Sequence, residues 1–197
     1  MLALVLVGRS FAPDRVQITI LGTTDLHGNI LSIDYYTNKP DNRGLAKIAT
    51  LIKRVRKEQP NVLLIDSGDT IQGTPLESFH GRKNNQPIDP MMLVMNSLNY
   101  DSMTVGNHEY NFGLKVLEKA RSEAKFPWLS ANTYDKGKQQ PHYKPYIVKD
   151  VAGVKIDVIV QVRQKRLDKH AGDPEKHKAA SERAAQITAA YTELTKK

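Results

Sequence analysis

Apolar and polar positions along the chain follow two periods in turn. Val16-Gln17-Ile18-Thr19-Ile20-Leu21 mixes alternation with β-branching and predicts a strand. From Gly44 to about Glu58, Leu45, Ile48, Ile52 and Val55 recur at helical spacing, with Lys53, Arg54, Arg56 and Lys57 pointing outward. Asp41-Asn42 offers N-cap oxygens for that helix, and Pro60-Asn61 ends it. Val62-Leu63-Leu64-Ile65 is a continuous apolar run, as expected of a strand covered on both faces. Asp89-Pro90 is a helix start, a cap followed by proline in the first turn. Met91–Leu98 is apolar nearly all round and predicts a buried helix whose methionines fill the core. A strand at Asp101–Val105, a helix at Gly113–Ala124 and a strand at Phe126–Ser130 follow. Tyr146–Val148 and Val154–Val160 predict a hairpin around Ala152-Gly153, while Gly81–Pro87 and Lys136–Pro145 read as mobile loops. This order of elements predicts an α/β layered sheet of mixed strands.

The pattern changes near Gln161. Beyond it the chain is rich in Lys, Ala and Gln, and Asp173-Pro174-Glu175 caps one more helix to about Leu194. Ala180, Ala184, Ile187, Tyr191 and Leu194 give that helix a thin apolar stripe, which suits a surface helix better than a partner-binding one. Residues 16–160 therefore read as one layered domain, and 161–197 as a divergent basic tail with one amphipathic helix. Residues 1–15 read either as a signal-peptide remnant or as a loosely packed arm. Leu2–Val7 is a short apolar run, but a positive segment before it is lacking.

Composition narrows the classes of function. A chain of 197 residues buries one good core. Apolar residues at 40% and charged residues at 25% are ordinary for a soluble globular protein. The net charge of +8 comes from scattered lysines and arginines, which describes a basic surface better than a nucleic-acid groove. Without cysteine, disulfides, iron–sulfur clusters and thiolate zinc sites are excluded. No stretch is long enough to span a bilayer.

The candidate chemistry lies in three short motifs, each after a predicted strand: Asp25-Leu26-His27, Gly68-Asp69 and Gly106-Asn107-His108-Glu109. Open α/β sheets bind ligands at the carboxyl ends of their strands. Asp25 and His27 sit two apart, so an extended segment would point both to one side. Asp69 has two oxygens and could bridge a pair of cations, and Asn107 could offer a neutral oxygen to the second. His108 could protonate a leaving alkoxide or stabilise its charge. Paired cations about 3.5–4 Å apart hold a phosphate and position an attacking hydroxide. Mixed oxygen and imidazole ligands suit Mn, Fe, Zn, Co or Ni better than Ca. Taken singly, each motif has a plainer explanation as a solvated pair, a turn or a loop. Their order and placement argue together for a metal site.

The segments Thr24-Asp25-Leu26-His27-Gly28-Asn29, Gly68-Asp69-Thr70 and Gly106-Asn107-His108-Glu109 resemble the metallophosphoesterase (calcineurin-like) superfamily. Tyr35-Tyr36, Gly44–Ala49, Gly73-Thr74-Pro75 and Asn111-Phe112-Gly113 fit its 5′-nucleotidase and 2′,3′-cyclic-nucleotide 2′-phosphodiesterase branch. The resemblance covers about Val16 to Ile159. It implies a layered metallophosphoesterase-type sheet, two divalent metal ions and a nucleotide or other phosphoester substrate. It further implies that Asp25 and His27 bind the first metal, Asp69 bridges, Asn107 binds the second metal and His108 assists catalysis, with Asn107 and His108 also meeting the substrate. By the same resemblance the protein is periplasmic or extracellular, and otherwise cytoplasmic.

The family's pattern goes on to a further metal-binding histidine and a Gly-His-x-His motif that this sequence does not match. His142, His170 and His177 are the remaining late histidines, and none has such a setting. The chain thus reads as the first half of a phosphatase domain joined to an unrelated tail, as truncation, a frameshift or a disrupted gene would produce. Only partial ligand sets remain: Asp25, His27 and Asp69 for one ion, Asp69 and Asn107 for the other. The expectation is a phosphohydrolase impaired by truncation. The alternatives are an inactive fragment that binds metal or nucleotide weakly and, less favoured, a nuclease-like enzyme. A sheet incomplete on one side also predicts an exposed edge and self-association through it.

Overall fold

The computed structural model describes residues 15–160. The expected N-terminal remnant and the tail helix at Asp173–Leu194 lie outside the described residues. Strands β1 (Thr19–Thr23), β2 (Val62–Asp66), β3 (Ser102–Thr104) and β4 (Trp128–Leu129) form one four-stranded parallel sheet in sequence order. Parallel neighbours need crossovers, and helices supply them. Helix α1 (Leu45–Glu58) joins β1 to β2, α2 (Pro75–Arg82) and α3 (Pro90–Ser97) join β2 to β3, and α4 (Leu114–Glu123) joins β3 to β4.

Alternation along β2 divides the core. Leu64 faces the helices and packs with Leu45, Ile52, Met91, Met95, Met103 and Leu117. Leu63 and Ile65 face the other side, where they meet Leu129, Ile147, Ile156 and Val158. That second layer is an antiparallel hairpin, β5 (Tyr146–Val151) and β6 (Val154–Ile159). Its two-residue turn places Ala152 at φ 53° and Gly153 at φ 82°, the left-handed pair a tight hairpin requires. The mixed strands expected of a single sheet are therefore a parallel sheet and a separate antiparallel pair.

Several expectations need correcting. The first strand begins at Thr19 rather than Val16 and runs to Thr23, because its ladder to β2 starts where Thr19 pairs with Val62. Asp41-Asn42 does not cap α1. Gly44 is the N-cap, at φ 105°, without a side-chain hydrogen bond, and Asp41 instead accepts from the N–H of Arg43. A Cβ on Gly44 would lie 2.4 Å from the carbonyl oxygen of Leu31, so the helix enters too close to that strand of loop for any other residue. Arg56 does not simply point outward: its guanidinium donates to the carbonyls of Leu98 and Asn99, just beyond α3. In α3, Met91, Met92 and Met95 are fully buried, but Leu93 is exposed.

Helix α2 was not foreseen. Thr74 is its N-cap and accepts from the N–H of Glu77, with Pro75 in the first turn. The signal was legible in Thr74-Pro75-Leu76-Glu77, a capping residue with an acid three positions on. Gly81 and Arg82, expected in a loop, belong to this helix, and a Cβ on Gly81 would meet the Phe112 ring at 2.4 Å. The segment Lys136–Pro145 is likewise anchored: Tyr143 is buried in the helix-side core.

At the opposite edge, β1 pairs only with β2 among the described residues. Ile20 is 57% exposed there.

Candidate metal centre at the sheet rim

Each motif begins one or two residues after its strand, so β1, β2 and β3 deliver all three to one rim. The loops are stitched together by their backbones. Asp25 donates its N–H to the Gly68 carbonyl at 3.1 Å, His27 to that of Asp69 at 3.0 Å and Gly28 to that of Thr70 at 2.8 Å. This ladder needs unusual backbone: Asp25, His27 and Asp69 have φ of 51°, 47° and 59°. The segment bearing Asp25 and His27 is therefore not extended, as the sequence spacing had suggested. A left-handed conformation in a non-glycine residue is uncommon, and such strain concentrates at functional sites.

The side chains of His27, Asp69 and His108 converge, each offering one atom within 4.8 Å of the others. Asp25 Oδ1 lies 3.7 Å from His27 Nε2. The rings of His27 and His108 meet edge to face with centroids 5.0 Å apart. Asn107 is exposed and opens the 3₁₀ turn His108–Tyr110, without a side-chain capping bond.

Partners around these groups fix how they present themselves. His27 Nδ1 lies 2.9 Å from the Gln72 carbonyl, so it carries the proton and donates there. That leaves the Nε2 lone pair facing Asp25, the arrangement in which histidines hold metals. Asp69 Oδ1 accepts the backbone N–H of His108 at 2.8 Å, leaving Oδ2 uncommitted by that bond. Asn111 sits 2.9 Å from His108 Nδ1 through its amide nitrogen. The amide N–H then donates to Nδ1, so the ring proton of a neutral His108 resides on Nε2.

Two buried carboxylates underneath were missed in the sequence. Glu109 is fully buried and accepts backbone N–H groups from Gly106 at 2.7 Å, Thr70 at 2.6 Å and Asp69 at 3.0 Å. Burial pushes its carboxyl up to about 7 despite the N–H bonds of Thr70 and Asp69, and the charge of Asp69 adds to the rise. Asp66, at the end of β2, accepts from the Thr23 hydroxyl at 2.6 Å, the Gly68 N–H at 2.8 Å and the Thr70 hydroxyl at 2.9 Å. Burial raises it to about 6. Glu109 stands beside His108 in the third motif, yet nothing in the local sequence tells a ligand from a support. Asn111, three residues after His108, was legible only as context.

Glycines let the loops touch. A Cβ on Gly106 would lie 2.3 Å from Asp69 Oδ1. His142 does not join the rim group; it pairs with Asp135 at 2.8 Å and Glu118 at 3.4 Å. His170 and His177 lie outside the described residues.

Carboxylate, imidazole and carboxamide donors on one rim form a set that binds borderline divalent metals. Comparison with known proteins gives the same direction. The family model described as calcineurin-like phosphoesterase matches residues 18–188. A 2′,3′-cyclic-nucleotide 2′-phosphodiesterase/3′-nucleotidase from Yersinia enterocolitica is 41% identical over 138 residues, which are 68% of this chain and 21% of that protein. The crystal structure of the calcineurin-like phosphoesterase YfkN from Bacillus subtilis superposes with a TM-score of 0.62 at 38% identity, over 72% of this chain and 46% of that one. A putative 5′-nucleotidase from Staphylococcus aureus gives a TM-score of 0.66 at 26% identity, over 72% and 28%. The chain spans between a fifth and a quarter of the length of the cyclic-nucleotide phosphodiesterases it matches, 21% and 24% of two of them.

Proposed function

The chain belongs to the calcineurin-like phosphoesterase family, and from that membership we propose that it is a metal-dependent phosphohydrolase acting on nucleotides, of the 2′,3′-cyclic-nucleotide phosphodiesterase or 5′-nucleotidase type. The observation that supports this most is the convergence of His27, Asp69 and His108 within 4.8 Å, with Asp25 against His27.

The donor set fits the family's dinuclear centre in part. Asp25, His27 and Asp69 would hold one ion, and Asp69 with Asn107 would contribute to a second. Such ions, when bound, neutralise the phosphate and generate hydroxide at neutral pH. The remaining work belongs to the protein. Water adds to phosphorus and gives up a proton, the ester P–O bond breaks, and that proton ends on the leaving oxygen, whose developing charge we assign Nε2–H of His108 to stabilise by a hydrogen bond. Asn111 holds that ring in the Nε2–H tautomer through Nδ1. Glu109 and Gly106 keep Asp69 in register with His108.

Phosphate release from 2′,3′-cyclic AMP, bis-p-nitrophenyl phosphate and AMP, with added Mn²⁺, measures the activity. Asp69→Asn and His108→Gln should abolish it, and rates equal to the parent would discard the assignment. A second reading is weak binding of metal or nucleotide with little turnover. It is favoured by the second ion having, among the described residues, only Asp69 and Asn107 proposed for it. Calorimetric titration separates the two, since two tight ions per chain refute the weak reading. Among the described residues no helix is long and apolar enough to cross a membrane. We assign the protein to the periplasm or the outside of the cell, and recovery only in the cytosolic fraction of the native host would reject that.

A further inference from the structure

A second cluster of titratable groups shares no residue with the rim. Glu77 and His80 sit three apart on α2 and so face the same way, and Asp89 is the N-cap of α3. All three are buried, with 1%, 5% and 1% exposure. One atom from each lies within 4.8 Å of the others. Two of the carboxylate oxygens, Glu77 Oε1 and Asp89 Oδ2, are buried without any hydrogen-bond partner. Buried polar atoms in folded proteins are nearly always satisfied, so such a pair needs an explanation.

The imidazole between them is turned in a telling way. His80 Nε2 lies 3.0 Å from the Pro87 carbonyl and must donate its proton there. The Nδ1 lone pair then faces Asp89 Oδ2 at 3.6 Å. That separation is too long for a hydrogen bond and would be an ion pair only with a protonated His80. It does suit two ligands on one cation, since donors about 2.1 Å from a tetrahedral metal stand about 3.4 Å apart. The Asn85 carboxamide approaches Nδ1 at 3.5 Å, the limit of a hydrogen bond, and can turn aside. Asp89 Oδ1 is already used as the cap of Met91 and Met92, and its backbone N–H goes to Glu123.

We propose that Glu77, His80 and Asp89 form a second, buried site for a divalent transition-metal ion, which ties α2 to the start of α3. A Glu-x-x-His pair on one helix turn is a recurring metal-binding arrangement. Two carboxylates and one neutral imidazole favour Zn, Mn, Fe or Co over Ca. Burial and the neighbouring Asp89 push the Glu77 carboxyl well above the usual carboxylate range. Two buried carboxylates need a counter-charge or a proton, and a shared proton is the competing explanation. The site has a structural consequence for the rim. A Cβ on Gly28 would lie 2.4 Å from Glu77 Cγ, so α2 packs directly beneath the loop that carries His27.

The test uses the full chain with the rim disabled by His27→Ala and Asp69→Asn, stripped with chelator, reloaded with Zn²⁺ and desalted. Elemental analysis should find about one zinc per chain, and Zn²⁺ should raise the thermal midpoint. Adding His80→Gln should weaken zinc binding by about a hundredfold or more. No retained zinc and no thermal shift, or full retention in the His80→Gln protein, overturns the proposal in favour of the shared proton. If either variant fails to fold, crystals of the unaltered chain grown with Zn²⁺ decide. An anomalous peak between Glu77, His80 and Asp89 supports the site, and a peak at the rim alone overturns it. Metal content rather than turnover is the readout, so the result stands whether or not the nucleotide assignment does.

Discussion

Glu109 Oε2 accepts the backbone N–H of Asp69 at 3.0 Å, across two loops that leave different strands. In return, Asp69 Oδ1 accepts the N–H of His108, the residue next to Glu109. This reciprocal pair locks the end of β2 to the end of β3. A ligand candidate is thus positioned by a carboxylate that itself faces only backbone N–H groups.

Replacing Glu109 with Gln puts an amide nitrogen where an oxygen accepts backbone protons. At least one of the N–H groups of Gly106, Asp69 and Thr70 then loses its acceptor. Stability should fall by about 2–4 kcal/mol, as for a broken buried charge-assisted network. Urea unfolding of the metal-free protein measures this, and metal affinity should fall with it.

Gly106→Ala should displace Asp69, because the new Cβ would sit 2.3 Å from Oδ1 and 2.7 Å from the Asp69 nitrogen. Metal binding at the rim should drop by at least about tenfold. Gly22→Ala is the control, since nothing lies within 4 Å of its Cβ position. Its unfolding midpoint and titration curve should match the parent.

Asn111→Leu removes the N–H that faces His108 Nδ1. Turnover should fall by about ten- to a hundredfold with KM little changed, because the loss concerns stabilisation of the leaving oxygen rather than binding. A fall in KM-dependent binding alone would instead assign Asn111 to the substrate.

Asp66 gives the metal-free protein a pH dependence of definite sign. Its folded carboxyl stands at about 6 against an ordinary 3.8, chiefly through burial. Between those values the unfolded chain releases a proton that the folded chain keeps, so stability falls as pH rises through this window and levels off above it. The loss amounts to about 2–3 kcal/mol. Asp66→Asn should flatten that slope in urea midpoints measured from pH 4 to 7.

Among the described residues β1 pairs only with β2, and we propose that the chain self-associates through that edge. Ile20 and Leu51 are exposed apolar residues beside the first strand and first helix. Ile20→Lys with Leu51→Glu should shift the protein toward monomer in size-exclusion chromatography with light scattering. An unchanged mass distribution would remove this edge as the contact.

The sequence by itself determined the strands and the chemistry they carry. The apolar run at Val62–Ile65, the Asp89-Pro90 start and the helical spacing from Leu45 to Val55 each specify a local element. Candidate ligand motifs after three parallel strands fall on one rim, because parallel strands point the same way. What only the tertiary structure decided was which polar residues meet and in what state. Asp41 could have capped α1, but Gly44 took that place because the Leu31 carbonyl leaves no room for a side chain. Glu109 and Asp66 look like any acids until folding buries them where the N–H and hydroxyl groups of neighbouring loops converge on them. Glu77, His80 and Asp89 come together only when α2 packs on α3. Local pattern reports what a segment can do alone, whereas burial, pairing and charge state depend on neighbours distant in the chain.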